Sequence, residues 1–447
     1  MGYFSKLREK KESSFYNKMW QELSEIKVID THEHFDTVES WREKAKKEDE
    51  GTYHISIPQI FERSYVRFKF SGSYDDWARE LLNHRGNGYL RVWLIAMEDL
   101  YGLEAQPITP KYLKKMDMLI NDAYAEDLEE GKYSHLKHVL VEDMHVESAI
   151  LNVGLDLHDK MPQPVCKAAA GIPSILDGIK VPPNADTDGG NVVFWYAFKK
   201  LGMQPGDITT LDDYCDVTEK LLKYLADSNN YVCIKMQMAY NRPLWFPEPP
   251  DDDSEIKKLF NKHPKNNKEL WKFGDYMMHF VMEWTSLYWR VPYQLHTGLA
   301  RMYDGGSNAL NLSHLFLKFP DVHFDLFHGN YPYNNLGGML HQIPNISADL
   351  CWLPAISPTA AQRTLTELFE VGDMVADWPN HIPSMRTCLY GGDSGIVEGS
   401  YGALQIAKDV LIRSLEDLYN RGHIFEKDAI DLAERVLYEA PKKIFKL

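Results

Sequence analysis

Short apolar runs of β-type composition recur along this chain, each separated from the next by a longer stretch of helical period. Lys27–Asp30 (KVID) is the first, followed by Ser148–Val153 (SAILNV), Val192–Trp195 (VVFW) and Tyr231–Met236 (YVCIKM). Pro292–His296 (PYQLH), Val322–His328 (VHFDLFH), Ile346–Leu350 (ISADL) and Thr387–Tyr390 (TCLY) complete the series. Helical spacing marks Leu211–Asp227, Phe273–Trp289, Asn311–Phe319, Ala360–Glu370 and Tyr401–Arg421. Strands that alternate with helices in this way pair in parallel through crossover helices. At 447 residues the closed solution is an α/β fold, a (β/α)8 TIM barrel, read here as one domain over residues 1–447.

Two segments break the rhythm. Residues 35–144, from Phe35 to Met144, are rich in charge and aromatic side chains and predict a helical insertion after strand 1. Asn241–Asn267 contains PLWFPEPPDDD, with too much Pro and Asp for a helix or a central strand. Irregular stretches of that length inside a domain usually serve as lids or binding loops.

Charge narrows the set of partners. Asp+Glu number 65 against 49 Lys+Arg, a formal net charge of −16, which argues against nucleic acid because that affinity comes from clustered cations. No run approaches the ~20 apolar residues that span a bilayer, and the charged N-terminal sequence does not resemble a signal peptide. Cys166, Cys215, Cys233, Cys351 and Cys388 are scattered singly, without CxxC spacing. Neither a disulfide framework nor a thiolate zinc site is expected, and the reading is a cytoplasmic protein with a small-molecule substrate. Barrels of this kind often associate, so a homo-oligomer is an open expectation.

The candidate chemistry sits at strand ends. In His32-Glu33-His34, residues i and i+2 of a strand point to one side, so Asp30, His32 and His34 share a face. Two imidazoles on one face suit a divalent metal. Among 17 histidines such a triplet arises readily by chance, and alone it decides little. Four further groups raise its weight. His296 ends PYQLH before Thr297-Gly298, His328 ends VHFDLFH before Gly329-Asn330, Asp393 follows TCLYGG, and Lys235 ends YVCIK. In a parallel barrel those carboxyl ends open on the one face where active sites form.

The segments VIDTHEH, YVCIKMQMAYNRPL, PYQLHTGL, FDLFHGNYPY and LYGGDSGIVEGSYGA resemble the amidohydrolase superfamily, and within it the uronate-isomerase-like branch of amidohydrolase-related family 2. The resemblance runs from Lys27 to about Leu447. It implies that His32 and His34 are the strand 1 metal ligands, His296 the strand 5 ligand and Asp393 the strand 8 carboxylate that touches the ion or its water and shuttles a proton. It also implies that His328 either binds a second metal or polarises the substrate and activates water. Lys235 matches a position that is carboxylated and bridges two ions in some members; a free Lys there could bind a substrate carboxylate instead.

Three imidazoles and one carboxylate leave an open coordination position, as catalytic sites require. Nitrogen-rich ligation suits zinc, while manganese, iron or nickel accept the same geometry, as one ion or two. Tyr240 and Arg242, just beyond strand 4, and Arg301, in the loop after His296, are candidate substrate contacts; Gln237 is a weaker one. Glu398 and Tyr401 read as packing residues of the helix after strand 8, and His135 with His138 as a helix surface. Gly305-Gly306 is too short for a phosphate cradle. The leading expectation is a metal-dependent hydrolase that activates water against an amide, ester or lactone bond. The alternatives on the same scaffold are a uronate-isomerase-like aldose/ketose isomerase and a non-oxidative decarboxylase. A non-catalytic scaffold protein is disfavoured by the intact ligand set.

Overall fold

The computed structural model describes residues 12–47, 53–62, 72–103, 107–152, 154–155, 160–178, 190–204, 206–262, 264–300, 304–371 and 386–447. Eight parallel strands lie side by side in chain order and form a nearly closed barrel with helices between them. They are β1 (Val28–Glu33), β2 (Val146–Leu151), β3 (Cys166–Gly171), β4 (Tyr231–Met236), β5 (Tyr293–Leu295), β6 (Phe324–Leu326), β7 (Ile346–Asp349) and β8 (Thr387–Cys388). Strands covered on both faces carry near-continuous apolar sequence, as β4 does with only Val232 less than buried. Leu211–Asp227, foreseen from its spacing, is a helix with those bounds, started by a capping box between Thr210 and Asp213.

One predicted strand is a helix. Val192–Trp195 opens the helix Val192–Lys200, because the Asn191 side chain accepts the N–H groups of Val193 and Phe194 as its N-cap. Val193, Phe194, Tyr196 and Ala197 then share its buried face at helical spacing. The third strand is CKAAAG at Cys166–Gly171, a run that the sequence pattern does not mark. It lacks the β-branched and aromatic residues that advertise a strand, and small side chains fill its buried positions. Inside the Pro- and Asp-rich stretch, Ser254–Lys262 forms a short helix that buries Ile256 and Phe260.

The chain divides into two compact units. One comprises Met1–Lys167, Asp349–Gly372 and Thr387–Lys443; the other comprises Ala168–Ala348, Asp373–Arg386 and Ile444–Leu447. Within the first, the segment after β1 is largely helical. It contains α1 (Val38–Lys44), α2 (Tyr74–Asn83), α3 (Gly88–Tyr101), α4 (Pro110–Glu130) and α5 (Ser134–His138), with a small antiparallel pair, Lys46–Lys47 and Tyr53–His54. These helices bury a core of their own, including Trp41, Phe61, Leu90, Trp93, Leu113 and Ile120, and Ile396 from the loop after β8 is part of it. Thus the core that orders the inserted helices also anchors the chain three residues beyond Asp393. The long helix α6 (Val397–Asn420) follows that loop and packs on α3.

In the second unit, β4 through most of β7 pair in simple parallel register, Ile234 with Tyr293, Tyr293 with Phe324 and Phe324 with Ile346. The helix Asn267–Tyr288 buries Leu270, Phe273, Met277 and Val281 on one side.

Candidate active site

In the first unit the site is built where β1 ends beside the loop after β8. The register of β1 against β2 shifts between Asp30 and Glu33, three residues on one strand spanning two on the other. Such a bulge breaks the alternation of faces and re-aims side chains. It lets Asp30 and Glu33 reach the same partner, the Ser400 hydroxyl on α6, whose single hydrogen the two carboxylates share. Asp30 also accepts the backbone N–H of His32 at 3.1 Å and of Gly392 at 3.3 Å, and Glu33 accepts that of Ser394 at 2.7 Å. Two fully buried carboxylates therefore fasten the strand to the loop. Burial raises both: Asp30 to about 6, and Glu33 well above the usual carboxylate range, further driven by the Asp30 charge beside it.

That fastening places Asp393. Its backbone N–H donates to the His32 carbonyl at 2.8 Å, and its φ of 48° lies in the left-handed region. Gly392 must be glycine, since a Cβ there would meet Oε1 of Glu33 at 1.9 Å. The result is a convergence of three side chains: Oδ1 of Asp393 lies 3.6 Å from Nε2 of His32 and 3.2 Å from Nε2 of His34. The two imidazole rings stand nearly perpendicular, 80° apart, with centroids at 4.7 Å. His32 and Asp393 are buried, whereas the His34 side chain is 38% exposed, leaving the cluster open on one side. Nδ1 of His34 meets the Asn152 carbonyl at 3.1 Å. A carbonyl can only accept, so Nδ1 donates its hydrogen there, and in the neutral imidazole Nε2 is the nitrogen left to ligate an ion. This donor set, with its ligand atoms within 4.8 Å of one another, fits a divalent cation.

In the second unit, His296 and His328 follow β5 and β6 and are buried. Nε2 of His328 lies 3.1 Å from Nδ1 of His296, and the rings meet edge to face at 4.5 Å. His328 holds a left-handed φ of 63°, and Asn330 one of 53°. Asn330 fixes that turn: its carbonyl oxygen accepts the Ala309 N–H, while its amide donates to Asn308 and Asn335. Tyr240 covers His296 with its ring at 4.5 Å and is 57% exposed, so it stands at a solvent-facing edge. Lys235 is buried, with Nζ 3.5 Å from the centre of the Phe327 ring, a cation–π geometry.

Three sequence expectations need restating. Arg242, read as a substrate contact, is buried and gives its guanidinium to Asp275 and to the carbonyls of Pro243, Trp245 and Trp271. Its plane lies over Phe246 at 4.3 Å, so it braces its own loop. His135, read as part of a helix surface, is largely buried and contacts Oε1 of Glu398 at 3.0 Å. Tyr101 and Tyr124 donate to the same carboxylate at 2.6 and 2.8 Å. Burial alone would raise Glu398, yet His135 and Tyr101 hold it below its ordinary value. Burial would likewise lower His135, and Glu398 overrides that and raises it. Arg301 lies outside the described residues. Sequence reasoning missed Asn330 and the Asn152 carbonyl: the first sits in the HGN turn that was quoted, while the second carries no side-chain signal.

No family model matches the chain. Protein fluG of Emericella nidulans is 28% identical over 163 residues, which are 35% of this chain and 17% of that protein, so the match spans well under half of either. Solved structures resemble it along nearly its whole length. Uronate isomerase from Thermotoga maritima superposes with a TM-score of 0.69 at 17% identity, covering 97% of this chain and 98% of that one. Glucuronate isomerase from Caulobacter crescentus gives 0.66 at 14%, covering 97% and 94%. A Lactobacillus casei ATCC 334 protein provisionally named a metal-dependent hydrolase gives 0.62 at 16%, covering 95% and 96%. At these identities the likeness shows a shared fold, a barrel of eight parallel strands with helices between them.

Proposed function

We propose that this protein is a metal-dependent enzyme of the amidohydrolase superfamily that activates water against an amide, ester or lactone bond of a small molecule. The observation that carries the reading is the convergence of His32 and His34 on one oxygen of Asp393, at 3.6 and 3.2 Å. Those three side chains would hold the ion. His296 as a further ligand and His328 as the group that polarises substrate belong to the same proposal, supported by their burial at the carboxyl ends of parallel strands. Lys235 enters it as a second-ion or substrate-carboxylate group, and Tyr240 as a substrate contact. Zinc is the proposed ion on donor chemistry.

A divalent ion in such a site supplies Lewis acidity that brings the pKa of water from 15.7 toward ~7. Asp393 would take the proton released and return it to the leaving group, as a carboxylate suited to general base and then general acid work. The hydrogen bond from His34 to Asn152 keeps the imidazole in one tautomer throughout. Burial of His32 and Asp393 would limit competing water around the reacting bond.

A second reading is supported by the two isomerase structures, whose TM-scores of 0.69 and 0.66 stand beside the hydrolase's 0.62. On that reading the same side chains would hold the ion against the carbonyl and hydroxyl of an open-chain sugar acid, and Asp393 or His328 would move a proton between adjacent carbons. The deciding experiment pairs elemental analysis of the purified protein with two assays. One follows hydrolysis of aryl esters, lactones and N-acyl amino acids; the other follows ketose formation from glucuronate and galacturonate. Metal-dependent hydrolysis that is lost in Asp393→Asn supports the first reading. Ketose formation replaces it with the second, and full metal content and turnover in both His32→Ala and Asp393→Asn would refute the site itself.

A further inference from the structure

Three successive residues in the loop after β6, His328, Gly329 and Asn330, are left-handed, with φ of 63°, 58° and 53°. That conformation is costly for an L side chain, so His328 and Asn330 need something to hold them in it. Asn330, which is fully buried, supplies it with its side-chain oxygen and both amide hydrogens engaged. The oxygen accepts the Ala309 N–H at 2.9 Å, and the amide nitrogen donates to Oδ1 of Asn308 at 3.2 Å and to Oδ1 of Asn335 at 2.7 Å. Asn335 closes the ring by donating to the same Asn308 oxygen at 3.1 Å, where the Leu310 N–H also arrives at 3.1 Å. The three amides thus join the turn after β6 to the loop after β5. Two further contacts bring those segments together beside His296. The Thr297 hydroxyl donates to the Phe327 carbonyl at 2.7 Å, and Gly298 lies so near the turn that a Cβ there would meet the Tyr331 carbonyl oxygen at 2.2 Å.

We propose that Asn330 is a positioning residue of the reactive site: its amide ring with Asn308 and Asn335 sets the turn from which His328 meets His296. This rests on His328 and His296 belonging to that site, and it names what orients them. Nε2 of His328 and Nδ1 of His296 are 3.1 Å apart, so one imidazole N–H donates to the bare nitrogen of the other. Such a bond weakens steeply as its angle closes, and the His328 ring keeps the angle only while its backbone keeps the turn. The contrasting account is that position 330 needs nothing but a residue that tolerates positive φ. It leaves unexplained why the side chain is buried and why three N–H groups gather on one Asn308 oxygen. Glycine separates the two accounts, since it takes a left-handed turn without strain and brings no amide.

The test is nuclear magnetic resonance of the full-length protein with isotope-labelled histidine nitrogens, read after chelation so that the result does not depend on a bound ion. A scalar coupling across the hydrogen bond between Nε2 of His328 and Nδ1 of His296 is expected in the wild type, assigned by its disappearance in His328→Gln. Asn330→Gly and Asn308→Ala should both abolish it, while Asn308→Asp, which keeps the accepting oxygen, should retain it. With whichever ester, lactone, N-acyl amino acid or uronate is turned over, Asn330→Gly should lower kcat about tenfold or more with KM little changed. Coupling that persists in Asn330→Gly overturns the proposal, as does its absence from the wild type. Coupling lost in Asn330→Gly together with an unchanged kcat upholds the positioning role and instead removes the histidine pair from the proposed reaction. If none of those compounds is turned over, the coupling alone decides.

Discussion

His34 gives its Nδ1 hydrogen to the Asn152 carbonyl at 3.1 Å, and so presents Nε2 to Asp393 at 3.2 Å. A strand-end histidine is thereby oriented by the backbone of the neighbouring strand's exit, a contact that no side-chain substitution at position 152 can remove. His34→Ala is expected to lower metal affinity at least tenfold, the scale seen when ligand shells are disturbed. Its melting temperature in the presence of chelator should match that of the wild type. Competition against a chromogenic chelator reads the first quantity and calorimetry the second.

The Glu398 carboxylate is buried and surrounded by Tyr101, Tyr124 and His135. Glu398→Ala leaves those donors without their acceptor and is expected to cost about 3–5 kcal/mol, as when one partner of a buried charged pair is removed. The pH dependence follows from the two shifts. His135 is raised, so its contribution is full below about 6.5 and is lost as pH climbs through its higher folded value. Glu398 is lowered, so its contribution is full above about 4.5 and is lost as pH falls through its lower folded value. The stability gap between wild type and His135→Phe should therefore be widest in mildly acidic buffer and narrow toward alkaline pH, measured by urea unfolding.

Arg242 and Asp275 form a buried pair in the second unit. Asp275→Ala is expected to destabilise by about 3–5 kcal/mol, because a guanidinium would remain buried against Phe246 and Trp271 without its counter-charge. Arg242→Met, which keeps bulk and removes the charge, should cost less when made together with Asp275→Leu than either change alone. Metal content should be unaffected in all of these variants. A fall in bound metal that tracks Arg242 would restore it to the reactive machinery.

Gly402 lies on α6 where α3 crosses it, and a Cβ there would meet the Val92 carbonyl oxygen at 2.0 Å. The contact is with helix backbone, so the helices must separate for Gly402→Ala to fit. A loss of about 1–3 kcal/mol is expected, typical of overpacking. The same separation should loosen the packing around Trp93, seen as a red shift in tryptophan emission.

Much of this was legible in the sequence. Tyr231–Met236 and Leu211–Asp227 were located to the residue because a run of apolar β-formers and a capped amphipathic helix each leave a strong periodic trace. Cys166–Gly171 left none, because alanines pack a barrel strand without the β-branched signature. Val192–Trp195 misled because four apolar residues read alike in a strand and in a buried helix, and Asn191, which caps it, was the available signal. At the site, His32, His34 and Asp393 are brought together as the motifs imply. Arg242 could not be judged from its neighbours in sequence, since what consumes its donors is Asp275 and the Trp271 carbonyl, about thirty residues away. Nor could the bulge at β1 be read, because register belongs to a pair of strands and not to either one.

Thr31 donates through both its N–H and its hydroxyl to the Tyr390 carbonyl, 359 residues further along. The first strand thus waits for the last before Asp393 arrives beside the two histidines. The donor group of His32, His34 and Asp393 therefore cannot assemble on a growing chain until residue 393 has been made.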